Sequence, residues 1–309
     1  MPSVDLLKLS GRPKNKFIQF ATDLKNISEK SRKKLKFPLF ASEKFDGVFC
    51  IARAHGLGIT SGVSIYSRTG EIYTSMQHIE YAIGRLAWER KLGDGDLIIF
   101  EAYDPTLTQP EISGQARDTK AQHPNLIAKC HDHLTLDEFV NGGGRPFKDR
   151  LTSLFGILKD NVEECLHYVF HAPVNCGALA MAMAKFIWKD GGEGVILKNP
   201  DGTYAGGKRN VDNIKIKQSV TYDLEIIGLT EGKGKHAGRV GSIQCRFKDG
   251  VIVDVGSGFS DLQRQMWWDA PTTVIGLIGE IQAMKDSTKG DLREATFKGI
   301  RLDKLEADF

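Results

Sequence analysis

Residues 37–55 read Phe37-Pro-Leu-Phe-Ala-Ser-Glu-Lys44-Phe-Asp-Gly47-Val-Phe-Cys-Ile-Ala-Arg-Ala-His55. Two strand-like runs, Phe37–Ala41 and Val48–Ala54, flank a charged turn, Glu43-Lys-Phe-Asp-Gly47. Apolar runs bounded by charge and Gly are a strand–turn–strand signal. A lysine at such a junction has two readings. It can sit on an ordinary surface hairpin, or it can be a nucleophile whose neutral amine attacks phosphorus. The second reading needs a lowered lysine pKa, which burial and neighbouring cations supply.

Such cations occur downstream. In Lys215-Ile-Lys217 a strand would turn both ammonium groups to one face, because side chains alternate. Glu193-Gly-Val-Ile-Leu-Lys198 sets a carboxylate at a Gly-assisted strand start and a lysine at its end. Alone, that is an edge strand with solvated ends. Beside Lys44 it is the makings of a phosphate site.

The spacing around these segments alternates strands with helices. Val63–Ser67 and Leu97–Ala102 read as strands, and His78–Leu92, Asp149–Lys159 and Gly177–Lys189 as helices. Asn141-Gly-Gly-Gly144 marks a loop, and a Gly-rich hairpin, residues 199–210, joins Gly194–Lys198 to Asn213–Lys217. From Thr221 the texture changes to short strands between Gly turns: Leu224–Leu229, Ser242–Phe247, Val251–Val255 and Thr273–Ala283. Five short strands in roughly ninety residues suit a small Greek-key barrel of the OB type. The fold class expected is α+β: a mixed α/β domain over residues 1–219, then an OB-fold β-barrel over residues 220–309.

Charge is unevenly spread. Residues 1–43 carry ten Lys/Arg against four acids, a net of +6, whereas residues 220–309 carry twelve against fourteen. The basic segment fits a surface for phosphate backbones, and equally a solvated lysine-rich helix face. Five scattered cysteines without a CxxC pair exclude a zinc ribbon and a disulfide framework. No signal peptide or membrane-spanning run is evident, which points to a reducing compartment, the cytoplasm.

The motifs in chain order are Lys44-x-Asp-Gly47, Ser67-Arg-Thr-Gly70, Glu101 in Ile98-Ile-Phe-Glu-Ala102, Glu193–Lys198, Lys215–Lys217 and Ile300-Arg-Leu-Asp-Lys304. Each is short, and it is their order that is specific. Together they resemble the covalent nucleotidyltransferases, and among these the ATP-dependent DNA ligases. The likeness runs from Phe37 to the carboxy terminus and is nearest to minimal ligases of bacteria and phages, which have an adenylation domain and an OB domain only. Two OB phrases, Glu231–Gly241 and Val255–Asp261, are similar to segments of those enzymes.

The resemblance implies roles. Lys44 is the nucleophile that takes AMP from ATP, with Glu43, Asp46 and Gly47 completing its motif. Arg68 binds phosphate, of AMP or of the 5′ end at the nick. Glu101 accepts hydrogen bonds from the ribose, with Asp96 a rival for the position. Glu193, helped by Glu101, holds Mg²⁺ or Mn²⁺. Lys198, Lys215 and Lys217 serve the nucleotide, the last two at its α-phosphate. Arg301 and Lys304 orient the departing pyrophosphate. Arg209, Lys233, Lys235 and Arg239 meet DNA. The partner implied is nicked double-stranded DNA, met by a monomer in a bacterial or virus-infected cell, with no membrane involved.

Two positions depart from the family pattern. Relatives carry Arg two residues after the motif Gly, where this chain has Phe49; Arg53 lies on the same strand face and is the candidate substitute. The adenine-stacking residue is usually aromatic and precedes Asp; here His131 precedes Asp132. An RNA ligase or a GTP-using capping enzyme shares the lysine motif, and a nucleic-acid-binding homologue without catalysis is a third reading.

Overall fold

The computed structural model describes residues 5–56, 62–284 and 292–309. The chain folds as two units, residues 1–217 and 218–309. The strands of the first are β1 (Phe20–Asp23), β2 (Leu39–Lys44), β3 (Val48–His55), β4 (Gly62–Ser67), β5 (Ile72–Tyr73), β6 (Leu97–Tyr103), β7 (Ile127–Leu134), β8 (Leu166–Tyr168), β9 (Ala172–Val174), β10 (Gly194–Lys198) and β11 (Arg209–Lys217). They form two sheets, ordered β1-β11-β10-β2-β9 and β5-β4-β3-β6-β7-β8. Most pairs are antiparallel; β1–β11 and β7–β8 run parallel.

The segment around Lys44 is not a hairpin. β2 pairs with β10 and β9, while β3 pairs with β4 and β6. Residues 44–48 therefore carry the chain from one sheet to the other, and Lys44 stands at the crossing. Gly47 makes the crossing possible: a Cβ there would lie 2.4 Å from the Ala102 carbonyl oxygen of β6.

Period-two alternation sorts the side chains. Leu39, Ala41, Val195, Leu197, Ile214 and Ile216 pack under the Gly177–Lys189 helix. Their neighbours Lys44, Lys198, Lys215 and Lys217 fall on the opposite face. In the second sheet Cys50, Ala52, Ile98 and Phe100 pack with the Gln77–Trp88, Gln109–Ala116 and Phe147–Leu158 helices. Ile51, Leu97 and Ile99 instead join a core with Leu6, Phe17 and Ile18. The basic amino-terminal segment is thus divided in purpose. Arg12 is structural: its guanidinium lies 4.7 Å from the Phe139 ring centre, donates to the Phe139 carbonyl, and fills the space a Gly206 side chain would need. Lys14 pairs with Glu71 at 2.9 Å. Lys25, Lys30, Lys33, Lys34 and Lys36 lie exposed.

Three buried charges tie helix and both sheets together. Asp132 on β7 accepts from Arg150 at 2.9 and 3.1 Å and from Lys198 on β10 at 3.3 Å. Burial alone would raise the Asp132 carboxyl; Lys198 and Arg150 outweigh it and hold it below the usual carboxylate range.

The second unit is β12 (Val220–Glu231), β13 (Val240–Arg246), β14 (Ile252–Val255), β15 (Ile278–Ala283) and β16 (Thr296–Ile300), ordered β14-β13-β12-β15-β16. The first half of β12 pairs with β15 and the second half with β13, so one long strand serves both halves of the fold. The strand expected from Thr273 begins only at Ile278, after a short helical turn at Pro271–Thr273. A helix, Asp261–Asp269, interrupts the strands and buries Trp267; its capping box, Ser260 with Gln263, is readable in the sequence. No helix among the described residues is long and apolar enough to cross a membrane.

Two substitutions test these contacts. Gly47→Ala should destabilise the protein by about 1–3 kcal/mol through overpacking against β6; an unchanged denaturation midpoint would show that the crossing tolerates a methyl group. Asp132→Asn should cost about 3–5 kcal/mol near neutral pH, because it strands buried cations. A depressed carboxyl contributes stability above its ordinary value of 3.8 and loses it as pH falls further. The gap between mutant and parent should therefore narrow below about pH 4; a gap independent of pH would refute the ion-pair origin.

Candidate active site

The site is built where the first sheet meets the crossing. Register puts Lys44 opposite Gly194, and Gly194 opposite Lys217. Glu193, just before β10, lies between the two lysines, with its side chain only 4% exposed. Its carboxylate pairs with the Lys44 ammonium through one oxygen and with Lys217 at 3.1 Å through the other. Two features fix it there. Gly194 lets β10 approach β11 so closely that a Cβ would meet the Ile216 oxygen at 2.0 Å. The Trp188 indole, at the end of its helix, donates to the Glu193 carbonyl at 3.1 Å. Lys215 shares the face of Lys217 by alternation, as its strand spacing requires.

Glu101 enters from the second sheet, opposite Phe49 in register. Burial pushes its carboxyl up to about 7, opposed by the nearby charges of Lys44 and Arg68 and reinforced by Glu193 and Asp46. These groups are thus electrostatic neighbours. Asp96 is elsewhere: its carboxylate meets His133 at 3.2 Å and the Gly93 amide at 2.8 Å. Of the two acids, Glu101 is the one that neighbours Lys44 and Arg68.

The His131 ring faces Phe49, their centres 6.4 Å apart. Burial, with the Lys198 charge close by, takes the imidazole well below its ordinary pKa, so the ring is neutral. Both rings, with Ile99, Phe147 and Lys198, line a cavity of about 40 Å³. Arg68 and Arg209 each lie 5.5 Å from the centre of one ring, Phe20, which sequence reasoning overlooked. Both guanidinium side chains are on exposed residues.

Other expected residues stand apart from this group. Arg53, the candidate substitute for the missing arginine, is 8% exposed, opposite Leu97 and four residues along β3 from Phe49. That separation is roughly 13 Å at strand rise. Lys198 lines the His131 cavity but is paired with Asp132 and lies 4.3 Å from the Phe147 ring centre, away from Glu193. Glu43 alternates to the strand face opposite Lys44. In the second unit, Lys233 and Lys235 are exposed and Arg239 half-buried, on a turn between β12 and β13. Arg301 and Lys304 both engage Asp223: Arg301 at 2.8 and 3.0 Å, Lys304 through its ammonium.

Among the described residues no group of three or more His, Cys, Asp or Glu is arranged to hold a metal ion. The arrangement is instead a cationic cleft around one shared carboxylate, suited to phosphate oxygens.

Comparison with known proteins agrees. The chain is 28% identical over 237 residues to a "Probable DNA ligase" of Streptomyces griseus, covering 73% of this chain and 45% of that protein. A Streptomyces coelicolor relative of the same description is 28% identical, covering 71% and 43%. The chain therefore spans under half the length of these curated relatives. Among solved structures, "Pmar-Lig_PreS3" superposes with a TM-score of 0.79 at 24% identity, covering 93% of this chain and 68% of that one. A second, "DNA binding with a minimal scaffold: Structure-function analysis of Lig E DNA ligases", gives 0.70 at 17%, covering 92% and 98%. These likenesses concern the fold. The profile described as "DNA ligase OB-like domain" matches residues 231–301. Because the "ATP dependent DNA ligase domain" profile matches residues 19–217, more than half of the sequence, the chain belongs to the ATP-dependent DNA ligase family.

Proposed function

We propose that this chain seals nicks in duplex DNA with ATP, through AMP carried on Lys44. The observation that supports this reading most is the buried Glu193 carboxylate shared by Lys44 and Lys217 at the junction of two sheets. Sealing joins a 3′-hydroxyl to a 5′-phosphate, whose oxygen is a poor leaving group. Three transfers solve the problem. Lys44 Nζ attacks the α-phosphorus of ATP and expels pyrophosphate. An oxygen of the 5′-phosphate then attacks the lysyl-AMP phosphorus and frees Lys44. The 3′-hydroxyl finally attacks the adenylated 5′-phosphate and expels AMP.

Each transfer spreads charge over phosphate oxygens, so placement and cations carry the catalysis. Lys44 must leave its ion pair and lose a proton before it attacks. Lys217 and Lys215 remain on the same face to meet the α-phosphate. Glu101, with its carboxyl near 7, can hydrogen-bond ribose hydroxyls as acceptor or, when protonated, as donor. The neutral His131 ring with Phe49 offers a stacking surface for adenine. Arg68 and Arg209, exposed beside Phe20, suit the phosphate at the nick.

The acidic groups fit an ion carried mainly by the nucleotide. Mg²⁺ binds through one or two carboxylates plus substrate phosphates. Glu193 and Glu101 are two such carboxylates, and the ion, Mg²⁺ or Mn²⁺, would neutralise charge on the phosphate oxygens. The enzyme acts as a monomer on nicked double-stranded DNA in the cytoplasm. Lys233, Lys235 and Arg239, with the exposed lysines of residues 25–36, supply contacts to the phosphate backbone.

Lys44→Ala should reduce covalent labelling by radioactive ATP below detection on a denaturing gel, with the fold intact by circular dichroism. Label persisting on that variant would sink the assignment. Replacing Lys25, Lys30, Lys33, Lys34 and Lys36 by Gln should weaken nick binding and flatten its salt dependence by about 0.9 log units for each phosphate no longer neutralised. An unchanged slope would mark these lysines as merely solvated.

A further inference from the structure

The cations of Arg301-Leu-Asp-Lys304 are already spent in this structure. Asp223, near the start of β12 and with its side chain 8% exposed, takes both of them. Arg301 also donates to Asp303 at 2.8 and 2.9 Å, and Lys304 lies 3.6 Å from Asp308. Two cations thus face three carboxylates, a local charge of −1. A group so neutralised exerts no net attraction on a polyphosphate. The tail is also tied by its backbone: Asp308 donates its amide to the Asp223 carbonyl at 2.8 Å, and its carboxylate accepts from the Asp223 amide at 2.7 Å. Leu302 and Leu305 are 87% and 98% exposed, and the one apolar anchor among these tail side chains is Phe309, whose ring centre lies 5.8 Å from that of Tyr222 and 5.3 Å from that of Phe247. The Asp223 contacts are what holds its two cations, while Phe309 and the Arg301 amide, donated to the Ile278 carbonyl at 2.8 Å, fix the chain on either side.

We infer that Asp223 is a positioning residue, a counter-ion that stores Arg301 and Lys304 and is exchanged for phosphate oxygens when the nucleotide is used. The inference rests on the proposed reading, in which these two cations serve the leaving pyrophosphate. A carboxylate and a pyrophosphate cannot both take the same guanidinium fork, so they compete. Asp223 therefore sets how readily the tail is released to ATP, and it has no part once AMP is on the DNA.

Single-turnover formation of lysyl-AMP by the full chain tests this, with Asp223→Asn as an isosteric variant that keeps both backbone bonds to Asp308. The KM for ATP should fall about three-fold or more, the least expected for removing the two competing ion pairs of Asp223, whose cations are partly exposed. The limiting rate should not fall, KM for inorganic pyrophosphate in the reverse reaction should shift the same way, and sealing of a pre-adenylated nick should be unchanged. Asp223→Glu should restore the parental KM. Asp308→Asn, at the exposed end of the tail, should give a smaller shift in the same direction and stands in if Asp223→Asn fails to fold. Unchanged KM values, or adenylation and sealing reduced together, would overturn the inference while leaving the lysyl-AMP reading intact. Absence of lysyl-AMP in the parent protein would overturn both.

Discussion

One carboxylate, Glu193, lies between Lys44 and Lys217, and much of the first unit is arranged so that it can. A buried charge is costly unless it is paired and hydrogen-bonded. The two lysines come from separate strands, one ending at the sheet crossing and one at the end of β11. Gly194 brings β10 against β11, Trp188 anchors the Glu193 backbone, and Gly47 lets the chain pass to the second sheet without striking Ala102. Disturbing any of these would leave an ammonium or a carboxylate buried without its partner. The geometry of the site and the stability of the sheet junction are therefore the same constraint.

What sequence reading captured was whatever depends on alternation and spacing. Lys215-Ile-Lys217 had to present two cations on one face, and Glu193–Lys198 had to be a strand between charges. What it missed depends on which strands lie side by side. Asp96 and Glu101 are five residues apart in sequence, and only the pairing of β6 with β3 shows that Glu101 faces Phe49 while Asp96 serves His133. Arg53 shares the face of Phe49, but its burial and its distance along the strand follow from pairing with β6 and could not be read from alternation. The basic segment could not be resolved from charge alone, because Arg12 is a core component and Lys25 is not. The Asp261–Asp269 helix was legible in principle from its Ser260-x-x-Gln263 cap and was passed over among Gly turns.

Phe49 changes the character of the cleft. Where relatives carry a cation, this chain carries a ring that meets the neutral ring of His131. The apolar lining of the cavity beside His131 is enlarged, and positive charge near the crossing is left to Lys44, Lys215 and Lys217. Exposed guanidinium groups reappear on the other side, where Arg68 and Arg209 share Phe20. Each guanidinium gains from the ring by cation–π attraction, and Arg209 also donates to the Ala21 carbonyl.

Each unit holds a pair of cations against one carboxylate: Lys44 and Lys217 on Glu193, Arg301 and Lys304 on Asp223. Bare cations crowded together would repel one another and would attract any anion of the cell. Held in pairs, they offer little to a simple anion, which can displace one partner at most. The ion pairs that stabilise the folded chain therefore also set which anions can displace them: only one that competes with a carboxylate for the same cation.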